Sequence, residues 1–161
     1  MFSADDLIPS FARNLSLIRT FTDGFDRADA LRPPPFRSNC ALWIVGHIAV
    51  YRSVLCELHL DQPPTVDAAT VARFKKDSAP VLGEEPGLPQ LAELLASLDV
   101  AQARIAAALP ILDAARAHEL VEYGAFPDPR RRSEVIVHLM RHEAYHTGQL
   151  ELLAEMVRGG R

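Results

Sequence analysis

A chain of 161 residues with 48% hydrophobic content suits one globular domain, 1–161, whose single core must supply any functional site. With 17 Lys and Arg against 21 Asp and Glu, a formal charge of -4, it lacks the basic excess that neutralises phosphates, so nucleic acid is not an expected partner. No stretch approaches the roughly 18 uninterrupted apolar residues of a membrane span, and MFSADDLIPS lacks the basic-then-apolar order of a secretion signal, so a soluble cytoplasmic protein is expected, without a membrane partner.

The first predicted helix runs from about Ala4 to Phe25, with Leu7, Phe11, Leu15, Ile18 and Thr22 on one face,. Pro9 falls in its early turns and leaves its start open. Three prolines from Pro33 force an extended connection,. Ser38 or Asn39 then caps a second helix reaching about Leu60, with a stripe of Trp43, His47, Val50, Tyr51, Val54 and Leu58.

From Asp61 to Pro89 the prolines and glycines of DQPPT and GEEPGLP bracket one short helix, about Asp67 to Lys76, inside a long crossover,. A third helix spans about Pro89 to Leu109, with Leu91, Leu94, Leu95, Leu98, Gln102, Ile105 and Leu109 along one face. A second irregular connection follows, with a short helix near Ala114 to Leu120. The fourth long helix covers about Ser133 to Val157, ended by Gly159 and Gly160. No run alternates with period two, so the expected fold is all-α, a four-helix bundle with a long crossover connection.

Cys40 and Cys56 lie on the same predicted helix, about 24 Å apart along its axis, too far to pair. They read as packed thiols in a reducing compartment.

The fourth helix carries HLMRHEAYHTGQ, placing His138, His142 and His146 at four-residue steps. Two imidazoles one turn apart can converge on one ion. Counting about 100° per residue from His142 puts Val135, Leu139, Leu150, Leu153 and Val157 between roughly 20° and 80°, with His146 among them at about 40°. His138, at about -40°, falls at the edge of that face, as a supporting or surface residue. Zinc-like ions take at least three protein donors in most sites, so a third must come from a facing helix. His47, flanked by apolar residues, is the candidate; His59 and His118 lie nearer loops. Three lone core histidines would each need a hydrogen-bonding partner, whereas one ion compensates all three.

His142 to His146 also spell H-E-x-x-H, the zinc-protease pattern in which the glutamate is the general base. The reading is weak here. The extended pattern fails at Gln149 and Leu152,, and the helical wheel turns Glu143 toward solvent, about 100° from His142, where supporting the histidines or touching a substrate is its other reading.

NCALWIVGHIAVYR together with HLMRHEAYHTGQLELL resembles the DinB-like (YfiT-like) metal-binding superfamily, in helix order over nearly the whole chain. The resemblance implies a four-helix bundle, a mononuclear metal on His47, His142 and His146, and a homodimer. Relatives include thiol S-transferases, a thiol-dependent isomerase and many proteins without assigned activity. Thr147 departs from the arginine that many relatives carry before the glycine.

The expectation is thus a metal-dependent enzyme, transferase or hydrolase, in which a divalent ion (zinc or nickel first, iron next) activates a low-molecular-weight thiol or water to act on a small molecule. The rival is a stress-associated metal-binding scaffold without turnover. Gln149 and Tyr51 are placed to orient a ligand or support the histidines, with ordinary packing an equal reading. Arg130, Arg131 and Arg132 read as a solvated run before a helix, with attraction of an anionic thiol or acid at the bundle mouth as the alternative.

Overall fold

The structure, a computed structural model, describes residues 3–36 and 38–159; Gly160, one of the two glycines expected to end the last helix, lies outside them. Helix α1, Ala4–Thr22, begins where Ser3 donates its N–H (3.2 Å) and hydroxyl (2.9 Å) to the Asp6 carboxylate, which fixes the first turn. Pro9 is accommodated within it, and Leu7, Phe11, Leu15, Ile18 and Thr22 are its buried face, as the spacing predicts. The helix stops before Phe25, at a turn where Gly24 adopts a φ of 71° that a side chain would disfavour. A five-residue helix, α2 (Arg27–Leu31), capped by Asp26, precedes the prolines and was not expected.

Helix α3, Ala41–Val54, is capped at Cys40 rather than Ser38 or Asn39. The predicted stripe is corrected: every residue from Ala41 to Val50 is buried, because α3 is the central helix, with neighbours on all sides. It continues as a π-helical turn, Leu55–His59. That wider turn brings Leu55, Cys56 and His59 inward and leaves Leu58, expected in the core, 57% exposed. His59, expected near a loop, is buried.

The crossover contains α4, Ala68–Phe74, capped by Asp67, whose carboxylate accepts the Thr70 N–H at 2.7 Å. Helix α5, Leu91–Ala108, buries Leu94, Leu98, Ala101 and Ile105 and ends in a 3-10 turn, Leu109–Ile111. The second connection holds α6 (Ala114–His118) and a small antiparallel ladder that the sequence did not reveal, β1 (Leu120–Val121) beside β2 (Arg130–Arg131). Helix α7, Arg132–Gly159, is the longest.

The bundle is formed by α1, α3, α5 and α7, with α7 packed on both α1 and α3. Apart from the ladder the fold is all-α. One apolar cluster gathers around Ile18, Leu42, Ile48, Leu98 and Leu150, a second around Phe11, Leu55, Ile105, Ile136 and Leu139. Tyr51 packs against both. Residues 41–59 and 91–111 have the length and apolar content of membrane spans. The first is mostly buried in the bundle core, and the second turns Glu93 and Asp99 outward.

Candidate metal centre

His47 comes from the middle of α3, and His142 and His146 from successive turns of α7. Their rings converge, with centroids 4.5 Å apart for His142 and His146, 4.8 Å for His47 and His146, and 5.2 Å for His47 and His142. The nearest donor atoms, Nε2 of His142 and of His146, are 3.1 Å apart, and one donor from each of the three residues lies within 4.8 Å of the others.

Hydrogen bonds decide which nitrogen faces inward. The Phe74 carbonyl can only accept, so His47 donates Nδ1–H to it at 2.7 Å and keeps its lone pair on Nε2. His146 likewise donates Nδ1–H to Gln149 Oε1 at 2.7 Å, which frees its Nε2. The crossover thereby orients one histidine and α7 itself orients another. Phe74 is held by close packing: a Cβ added at Gly46 would stand 2.6 Å from its ring, so α4 can approach α3 only over glycine.

Burial drives these imidazoles toward the neutral form, the form that binds metal. It pushes His47 down to about 4, although the Phe74 carbonyl works the other way. His142 is pushed down to about 3, by burial first and then by the neighbouring His146, His47 and His138. His146 is lowered by burial, partly opposed by Gln149. At neutral pH the centre is therefore three neutral imidazoles with ring nitrogens gathered at one point, and because His146 Nε2 carries the lone pair, His142 Nε2–H donates to it until an ion takes that place. Two nitrogens bound to one tetrahedral ion at about 2.05 Å lie roughly 3.3 Å apart, so the His142 to His146 spacing already suits a shared ion. The donor set fits.

The centre lies at the side of a cleft of about 730 Å³. Trp43 stacks on His47, centroids 4.6 Å apart and 17° from parallel, and Tyr51 packs at 4.7 Å from His47 and 4.8 Å from His142. Lys76, Asp77 and Ser78 from the crossover, and Tyr123 to Ala125 from the second connection, complete the walls. Trp43 is anchored by donating Nε1–H to Ser78 Oγ at 3.2 Å.

His138 stands apart from the donor group. Its ring is 6.2 Å from that of His142 and packs edge-on against Phe126 at 4.9 Å. Thr147 is buried, and its hydroxyl donates to the Glu143 carbonyl at 2.9 Å, so it presents no group to the cleft.

Glu143 requires a correction. It is buried, not solvent-facing, and both carboxylate oxygens accept from Arg52, Nε at 2.7 Å and Nη2 at 2.8 Å. The wheel failed because α7 is covered by α1 and α3 together, which widens its buried arc. A carboxylate held at both oxygens is not a free general base, so the H-E-x-x-H reading loses its glutamate. Arg52 itself was overlooked. It is the sole charged residue in Ala41–Val54, and a lone charge on a helix that apolar demands a buried partner. The basic run is also corrected: Arg132 is buried and pairs with Glu119 at 2.6 Å, whereas Arg130 and Arg131 are exposed.

Fold and site together define a helical bundle with a candidate three-histidine metal centre. The chain belongs to the DinB superfamily, whose family model matches residues 10–150. A conserved protein from Enterococcus faecalis, known from its crystal structure, is similar in fold, with a TM-score of 0.75 at 14% identity and 99% of each chain covered. Comparison with curated proteins finds no match.

Proposed function

We propose that the chain is a metal-dependent enzyme acting on a small molecule, with His47, His142 and His146 holding one divalent ion, zinc or nickel before iron. The observation that carries the reading is the convergence of three neutral imidazoles beside a cleft large enough for a cosubstrate and a substrate,. When bound, such an ion lowers the pKa of a thiol or water sharing it and so supplies a nucleophile at neutral pH.

The chain's own residues do the rest. Phe74 and Gln149 hold two imidazoles in the tautomer that aims Nε2 inward. Trp43, Tyr51 and Tyr145 offer flat apolar walls that exclude water and hold a planar or thioether-bearing substrate,. Lys76 and Asp77 line the cleft side by side, so it carries charge of both signs. A low-molecular-weight thiol is the preferred cosubstrate, and a cytoplasmic homodimer the preferred setting.

The test is metal analysis of the purified protein, followed by a screen pairing low-molecular-weight thiols with electrophiles. Metal-dependent thiol consumption, lost in His47→Ala, is expected. Stoichiometric metal without consumption of any thiol or hydrolysis of any ester would leave the non-catalytic scaffold as the better account.

A further inference from the structure

A second cavity of about 610 Å³ lies on the far side of His138 from the metal centre. Its floor is apolar, built from Leu7 of α1, Leu109 and Leu112 after α5, and Ile136 and Val137 of α7. Three arginines, Arg130, Arg131 and Arg141, stand on its lining. Among the described residues no carboxylate forms an ion pair with any of the three, although eight other arginines are so paired. The one acidic group in the lining, Glu134, accepts the Arg131 backbone N–H at 3.0 Å.

The arginines are placed by the fold. The β1–β2 ladder fixes Arg130 and Arg131 at the start of α7, and Arg141 rises from the same face of α7 as Glu134 and Val137,. Phe126 sits between the Arg130 guanidinium, 5.5 Å from its ring centroid, and the His138 ring. The cation–π contact with Phe126 holds Arg130 at the cavity,. His138 lines both cavities and so forms part of the wall between them.

A mostly apolar floor with uncompensated guanidinium groups matches one ligand chemistry: an organic acid with an apolar body, its carboxylate on the arginines. We propose that this groove binds a free amphipathic carboxylate at a site separate from the metal centre. The excess of positive over negative groups in the lining selects an acid over an alcohol or amine of equal length. The inference stands on residues that the metal reading does not use.

Isothermal titration of the metal-loaded protein with decanoate, decan-1-ol and decylamine tests it. Decanoate alone is expected to bind, at one per chain. Arg130→Gln combined with Arg141→Gln should weaken it about a hundredfold, since each lost charge-assisted bond is worth about tenfold. Val137→Asp, with helicity checked by circular dichroism, should abolish binding by placing a like charge on the floor. His47→Ala should bind decanoate as the wild type does; loss in that variant would move the carboxylate to the metal centre and overturn the proposal. Equal binding of decanol, or no effect of the arginine changes, would overturn it too. So would a wild-type dimer that ignores decanoate and dissociates in Val137→Asp, which would make the groove a contact between copies, or binding only to phosphatidylglycerol vesicles.

Discussion

Arg52 on α3 and Glu143 on α7 form a two-point ion pair, 2.7 Å and 2.8 Å, with side chains only 1% and 4% exposed. The remaining Arg52 donors reach the Leu98 carbonyl and Gln102 Oε1 through Nη1 and the Phe11 carbonyl through Nη2. One guanidinium thus joins all four bundle helices. Removing one partner leaves the other charge buried and unpaired, so Arg52→Met or Glu143→Leu alone should lower unfolding stability by about 3–5 kcal/mol. The double variant should recover much of that loss. Urea unfolding of the four proteins measures the coupling; additive losses would show that the pair is not the connection described.

Gly46→Ala should act on the metal centre from outside it. The new methyl meets the Phe74 ring at 2.6 Å, so α4 must shift and carry away the carbonyl that holds His47 Nδ1. Overpacking of this kind costs about 1–3 kcal/mol. The expected result is a lower Tm together with weaker zinc retention in a chelator competition.

Gln149→Leu tests the acceptor on His146 Nδ1. Loss of such a supporting bond lowers metal affinity by about 10–100-fold. Competition with a calibrated chelator reads this directly, while the apo-protein Tm should stay close to that of the wild type.

His59 predicts a pH dependence outside the metal centre. It is buried with neither ring nitrogen hydrogen-bonded, and burial, then the nearby Arg132 and Arg116, push it down to about 4. In the unfolded chain it takes up a proton below about 6.5. Between those values the unfolded state holds more protons, so stability falls as pH drops from about 6.5 toward 4, by about 1.4 kcal/mol per pH unit for one such group. His47 and His142 add to this slope in the metal-free protein, having been lowered in the same direction. Replacing His59 with Phe should flatten the curve by about one proton; an unchanged slope would place the uptake elsewhere.

The long helices and the three converging histidines were legible because both obey the α-helical period. Leu7 through Thr22 mark α1 by spacing alone, and His142 and His146 share a face for the same reason. What escaped depends on how many neighbours a helix has. A wheel assumes one buried side, but α3 is enclosed and α7 is flanked twice, so Arg52 went unread and Glu143 was turned the wrong way. The π-helical turn left Leu58 outside because its extra residue breaks the count. The β1–β2 ladder was too short to show an alternating pattern, and it is what divides Arg130 and Arg131 from the buried Arg132.

The acceptor that aims His47 is a main-chain oxygen. Every amino acid carries one, so this support can be inherited with no letter of the sequence to mark it. What has to persist is a place, set by the length of the crossover and by the gap that Gly46 leaves. A search for this centre in other chains by residue types alone would find the donors and pass over one of the two groups that orient them.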